Sequence, residues 1–135
     1  MERKEFLKTA CALCGIAVAS NILESCTKQS VGQPTVNFTV DLSNSTNAAL
    51  KTTGSAMLMN QVYIINKDGI NFIAVSSICT HNGCTVGFQS LAAGFLCPCH
   101  SATYTSAGVV TGGPAPANLK TFTVTKNGNI LTITG

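Results

Sequence analysis

Charge is what this sequence has least of. Only 10% of its 135 residues are Asp, Glu, Lys or Arg. From Cys26 onward there is no arginine, and the charges are Lys28, Lys51, Lys67, Lys120 and Lys126 against Asp41 and Asp68. That balance is mildly basic, scattered and free of dense basic runs, so the footprint of a nucleic-acid binder is missing. Histidine is also scarce: His81 and His100 are the only two in the chain. Any chemistry that needs imidazole passes through them. Long apolar runs are missing as well. The mainly apolar stretch from Thr9 to Leu23 falls short of the ~20 residues of a membrane-spanning helix. There is no internal repeat, and the length allows one domain and not two.

What is present is concentrated in two short boxes, Cys79-Thr80-His81-Asn82-Gly83-Cys84 and Cys97-Pro98-Cys99-His100-Ser101. They hold four of the seven cysteines and both histidines. Each box offers at least one thiolate and one imidazole, enough to hold metal between two loop tips. Thiolates suit zinc or an iron–sulfur cluster, and imidazole suits zinc, copper or iron. A Cys₂His₂ zinc site is one reading of these residues. The usual zinc pattern, however, pairs Cys with Cys and His with His.

The pattern Cys-x-His, fifteen residues, Cys-x-x-His resembles the ligand signature of the Rieske iron–sulfur proteins, with Gly83 and Pro98 also where that family has them. The resemblance implies one [2Fe–2S] cluster per chain, with two Cys on one iron and two His on the other. Carried over, Cys79 and Cys97 take the buried iron, and His81 and His100 the outer one. It further implies a disulfide between Cys84 and Cys99, as in the quinol-oxidising branch. The Gly-Pro-Ala-Pro loop of the family is matched here by Gly113-Pro114-Ala115-Pro116, which the resemblance implies would cover one side of the cluster. Tyr104 matches a family hydroxyl that donates towards the cluster, whereas Ala102 stands where high-potential members have serine. A lowered potential is expected from that loss. Asn82 replaces the leucine common at the loop tip of quinol-oxidising members. One-electron transfer coupled to a proton at His81 and His100 is the expected chemistry.

The N-terminus points to export. Residues 1–25 read as a signal peptide, with charged Glu2 to Lys8 ahead of the apolar stretch. Arg3-Lys4-Glu5-Phe6-Leu7-Lys8 resembles a twin-arginine signal, and Leu23-Glu24-Ser25-Cys26 resembles a bacterial lipobox with an atypical Glu24. Lipidation of Cys26 is expected to follow. The Cys11/Cys14 pair would be discarded with the signal. Residues 26–35 form the lipidated N-terminus and a polar linker, and export places the chain where disulfides persist. The expected location is the bacterial cell envelope on the periplasmic side, anchored to a membrane through lipid.

The remainder, residues 36–135, reads as an all-β domain. Val36, Phe38, Val40 and Leu42 alternate with polar residues. Residues 43–55 read as a loop or one helical turn. Met57 to Ile65 is expected as one strand, returning through Lys67-Asp68-Gly69 into Ile70 to Val75. Short hairpins are expected at Thr85–Phe88 with Phe95–Leu96, and at Leu119–Thr125 with Ile130–Thr134. The fold class is a small Rieske-type antiparallel sandwich or barrel of eight to ten strands with two cluster-binding loops. The functional expectation is an exported, membrane-tethered electron-transfer protein. Its partner is a redox protein or a quinol-oxidising complex, and the chain is an oxidoreductase subunit rather than an enzyme alone. A ferredoxin-like donor to an oxygenase and a zinc-stapled structural domain are the alternatives. A Rieske oxygenase is excluded, because no histidines remain for its mononuclear iron.

Overall fold

The structure is a computed structural model and describes residues 35–135. The signal peptide, Cys11, Cys14, Cys26 and the linker up to Pro34 lie outside the described residues. Among those described, no helix is long and apolar enough to cross a membrane.

Ten strands form two antiparallel sheets. The larger has the order β1-β10-β9-β4-β3-β2, built from β1 (Asn37–Asp41), β2 (Ala56–Met59), β3 (Val62–Asn66), β4 (Phe72–Ser76), β9 (Thr121–Asn127) and β10 (Ile130–Thr134). The smaller is β5 (Gly87–Ser90), β6 (Gly94–Leu96), β7 (Thr103–Tyr104) and β8 (Val110–Gly112), in sequence order. The small sheet is an insertion between β4 and β9. Those two strands pair directly through Ala74 with Phe122 and Val75 with Thr121, and the Ser76 amide donates to the Lys120 carbonyl at 2.8 Å.

The all-β expectation holds, with one strand redrawn. Met57 to Ile65 is two strands, because Asn60 and Gln61 both take positive φ, 50° and 63°. This two-residue left-handed turn matches the twist of an antiparallel hairpin and pairs Met59 with Val62. Residues 43–55 contain a 3-10 helix, Ser45–Lys51, whose first turn is capped by the Asn44 side chain accepting from the Thr46 amide at 3.0 Å. Leu50 anchors it in the core, and the buried Asn66 side chain donates to the Leu50 carbonyl at 2.8 Å.

The core is split by the large sheet. Strand side chains alternate between faces, so Val62, Ile64 and Ala74 join Val40, Leu50, Phe122, Leu131 and Ile133 on one side. Ile65 and Val75 face the other way and pack with Val86, Phe95, Tyr104, Leu119, Cys79 and Cys97. Strand β3 is therefore apolar on both faces, which is why its sequence reads as an unbroken apolar run. The small sheet is fastened to it by Tyr63. That ring lies 5.2 Å from Phe95 and 6.4 Å from Phe88, and its hydroxyl donates to the Val86 carbonyl at 3.1 Å. At Gly94 (φ 74°), a Cβ would fall 1.9 Å from the Tyr104 carbonyl oxygen, so only glycine lets β6 lie this close to the end of β7.

The β3–β4 turn is held by one carboxylate. Asp68 accepts from the Asn71 amide at 2.7 Å, the Asn71 side chain at 2.7 Å and the Ile70 amide at 2.9 Å. These bonds, the Asn71 backbone first, lower its pKa from 3.8 to about 2. A lowered folded-state pKa stabilises fully above the unfolded value and is lost as pH falls through the folded one. The urea midpoint is therefore expected to drop more steeply between pH 4 and 2 in the wild-type protein than in Asp68→Asn. Parallel pH profiles for the two proteins would contradict this account.

Candidate metal centre

Both boxes leave the ends of strands and fold into the same backbone frame. In the first, the Cys79 amide donates to the Cys84 carbonyl at 2.7 Å, and the Gly83 amide donates back to the Cys79 carbonyl at 2.9 Å. In the second, the Cys97 amide donates to the Ala102 carbonyl at 2.7 Å, and the Ser101 amide to the Cys97 carbonyl at 3.0 Å. Each frame thus opens on a cysteine and turns four residues later through a left-handed residue, Gly83 at φ 75° and Ser101 at φ 59°. The shared frame is invisible in the sequence, where the boxes have different spacings. Ser101 holds a conformation that glycine adopts without strain.

The frames sort the four expected ligands by chemistry. Cys79 and Cys97 are both free thiols, 1% exposed, at the floor of the site. Burial raises the Cys79 thiol pKa, but hydrogen bonds from the Tyr104 hydroxyl, the His81 and Asn82 amides and Cys97 bring it below its ordinary value. Above them, His81 is half-buried and His100 exposed. Their rings meet edge to face at 88°, with the two Nδ1 atoms 3.2 Å apart. Two imidazole nitrogens on one tetrahedral metal, each bonded at about 2.0–2.1 Å, lie about 3.3–3.4 Å from each other.

The donors therefore form two pairs, sulfur below and nitrogen above. A single zinc ion binds its donors at about 2.0–2.3 Å, so all four must lie within about 4.6 Å of one another. Among the described residues, the one group of three or more His, Cys or acidic ligand atoms lying within 4.8 Å of one another is Cys84, Cys97 and Cys99. Cys84 and Cys99 are joined in a disulfide and have no thiolate to offer. The arrangement fits a binuclear group with a thiolate end and an imidazole end better than it fits one ion.

The disulfide links the first loop to the second, with its Cα atoms 6.5 Å apart. A third segment closes the site. At Gly113 a Cβ would stand 2.6 Å from the Ala102 Cα, so the 113–117 loop lies directly on the second box. Thr80 donates to the Ala117 carbonyl at 2.7 Å and holds the same loop to the first box. Pro114 is exposed, while Ala115 packs against the inner core. Tyr104 is fully buried, its hydroxyl 3.3 Å from the Cys79 sulfur and 3.3 Å from Thr80 Oγ1. Burial, then the bond to Cys79, push its pKa up, which keeps the hydroxyl protonated and able to donate. Ala102 is completely buried beside it and offers no hydroxyl. Thr80 is the residue that sequence reasoning missed. Its only signal was a hydroxyl between two expected ligands.

Comparison with known proteins agrees with this geometry. A family model described as the Rieske [2Fe-2S] domain matches residues 36–123. The cytochrome b6-f complex iron-sulfur subunit of Synechococcus sp. CC9605 is 43% identical over 65 residues, covering 47% of this chain and 36% of that one. The corresponding subunit of Chlorobaculum tepidum is 43% identical over 65 residues, with coverage of 48% and 35%. The matched part thus spans about a third of the length of these curated relatives. The crystal structure of the cyanobacterial plasma membrane Rieske protein of Synechocystis PCC 6803 superposes with a TM-score of 0.55 at 28% identity, covering 75% of this chain and all of that one. The chain belongs to the Rieske [2Fe–2S] family, whose members carry electrons on such a cluster.

Proposed function

We propose that Cys79 and Cys97 bind one iron of the [2Fe–2S] cluster and His81 and His100 the other, and that residues 36–135 are the electron-carrying domain of an exported, membrane-tethered protein. The observation that carries this reading is the separation of a buried thiol pair from an outward imidazole pair. When bound, the cluster takes up and returns one electron at a time. The protein's own part is to set how readily that happens. Neutral imidazoles in place of two thiolates leave the site less negative, which favours reduction. With Cys79 a thiolate, the Tyr104 hydroxyl 3.3 Å from its sulfur is the donor of that contact, and the bond strengthens as negative charge builds there. Thr80 and Gly113 keep the covering loop down, and the disulfide limits the opening of the ligand loops.

The tether is assigned to lipid on Cys26, with residues 27–34 reaching roughly 25–30 Å if extended. The partner is a quinol-oxidising complex or another redox protein of the cell envelope. This is supported by the relatives, which are cytochrome b6-f subunits, and by the Cys84–Cys99 bridge.

Three results are expected. The dithionite-reduced protein gives a rhombic, low-g EPR signal with two irons and two sulfides per chain, as a [2Fe–2S] cluster requires. A silent sample containing zinc would end the electron-transfer reading. Ala102→Ser restores a donor at a buried position and raises the midpoint potential. A bond worth about 1–2 kcal/mol more in the reduced state corresponds to a rise on the order of 40–90 mV for one electron. An unchanged or lowered potential would show that the missing hydroxyl does not set it. In cells expressing the full chain and fed labelled palmitate, the wild-type protein takes up label and Cys26→Ala does not, whereas an unlabelled wild-type protein would rule out the lipid tether.

A further inference from the structure

An edge strand carries a row of unpaired backbone groups, which proteins normally shield with charge, bulges or covering contacts. The two sheets have four edges, β1, β2, β5 and β8. Three are blunted. Strand β1 ends on the charge of Asp41, whose carbonyl is taken by the Asn47 side chain at 2.8 Å. Strand β5 carries a bulge between Phe88 and Ser90. Strand β8 is bulged as well, and its Val110 amide is taken by the Asn118 side chain at 3.0 Å. Strand β2 has none of these devices. Its sequence, Ala56-Met57-Leu58-Met59, holds no charge, proline or glycine, and its register with β3 is unbroken. Antiparallel partners alternate between pairs that exchange hydrogen bonds and pairs that do not. The bond from the Asn66 amide to the Ser55 carbonyl, at 3.0 Å, and the two-residue turn at Asn60-Gln61 fix that alternation. Met57 and Met59 bond to β3, whereas Ala56 and Leu58 turn their amides and carbonyls outward. Among the described residues no hydrogen bond reaches them, and the Leu58 side chain beside them is 46% exposed.

We propose that β2 is a pairing edge for a second copy of this chain, joined antiparallel about a two-fold axis at Met57. The register is self-complementary, as a two-fold contact requires. Ala56 of each copy lies opposite Leu58 of the other, so the outward amides and carbonyls of both pairs are satisfied together. Each Leu58 side chain stands opposite a small alanine on one face, and the two Met57 side chains meet on the other. No charge has to be stripped of water. Asn60 and Gln61, both at positive φ, end the edge after Met59, which stops the pairing from spreading along the chain. A strand of 4 residues makes a contact well below the about 1,600 Å² of a standard interface. The pairing is therefore weak in dilute solution and fills as concentration rises. Chain direction fixes the arrangement of the pair. Strands β2 and β4 run the same way, both antiparallel to β3, and β4 leads into the first ligand loop. Antiparallel joining at β2 points the two ligand ends in opposite directions, so neither copy covers the other's site.

The test uses the full chain, and its first arm needs no substitution. Diluting the wild-type holoprotein from about 1 mM to about 10 µM is expected to speed amide exchange at Ala56 and Leu58 by about tenfold or more, and to leave Asn37 and Thr39 on the β1 edge unchanged. Exchange at Ala56 and Leu58 that does not depend on concentration overturns the proposal. The second arm reads the register. In cells expressing the full chain, Met57→Cys should give a covalent dimer on mild oxidation. Antiparallel partners that exchange no hydrogen bonds have Cα atoms about 4.5 Å apart, inside the range a disulfide spans. Thr39→Cys, on the β1 edge, should give none. Adding Leu58→Lys to Met57→Cys should lower the yield of dimer by about tenfold or more, because a lysine on an edge strand opposes pairing. Equal dimer from positions 57 and 39 reports random collision and overturns the proposal, as does a dimer that survives Leu58→Lys. A disulfide formed instead with a different protein assigns the edge to a partner's strand, which also overturns it.

Discussion

A loop that carries a buried thiol has to satisfy its own backbone, because no sheet partner does it. Two hydrogen bonds in each ligand loop meet that requirement. One runs from the amide of the leading cysteine to a carbonyl five residues on, and the other returns to that cysteine's carbonyl. Buried amides and carbonyls left unpaired would each be unfavourable by about 1–3 kcal/mol. With the frames closed, the thiols can sit at 1% exposure while the imidazoles stay at the rim. The rest of the inner half secures the frames. The bridge between Cys84 and Cys99 spans 15 residues and, in a chain-entropy account, contributes about 3 kcal/mol. Thr80 and Gly113 fix the covering loop to both frames.

The large sheet is the common wall of two cores, and this ties the site to the scaffold. Ile65 and Val75 support the thiol floor, while their neighbours Ile64 and Ala74 face the opposite core. A register slip of one residue in β3 or β4 would exchange these sets. The aromatic contacts of Tyr63 with Phe88 and Phe95, and the bond to the Val86 carbonyl, hold the small sheet over that wall.

Much of this was legible in the sequence because metal chemistry uses few residue types and spaces them tightly. The two boxes identified the family, and period-two alternation gave the all-β class. The pairing of Cys84 with Cys99 was implied by the resemblance and appears in the structure. Other features depend on contacts that no local pattern encodes. Asn60-Gln61 lacks the glycine that usually marks a left-handed hairpin turn, so β2 and β3 read as one strand. The tie from Thr80 to Ala117 joins residues 37 positions apart. The demand for glycine at position 94 comes from the carbonyl of Tyr104 on a neighbouring strand.

The insertion itself bears on how such a chain can change over generations. Its two ends meet where Ser76 bonds to Lys120, directly beside the β4–β9 pairing. Residues can be added to or removed from the segment between them without shifting the register of the large sheet, because the closure point does not depend on what the loop contains. The electron-carrying end is thus free to be reshaped for a new partner, while the base that keeps the chain folded is inherited intact.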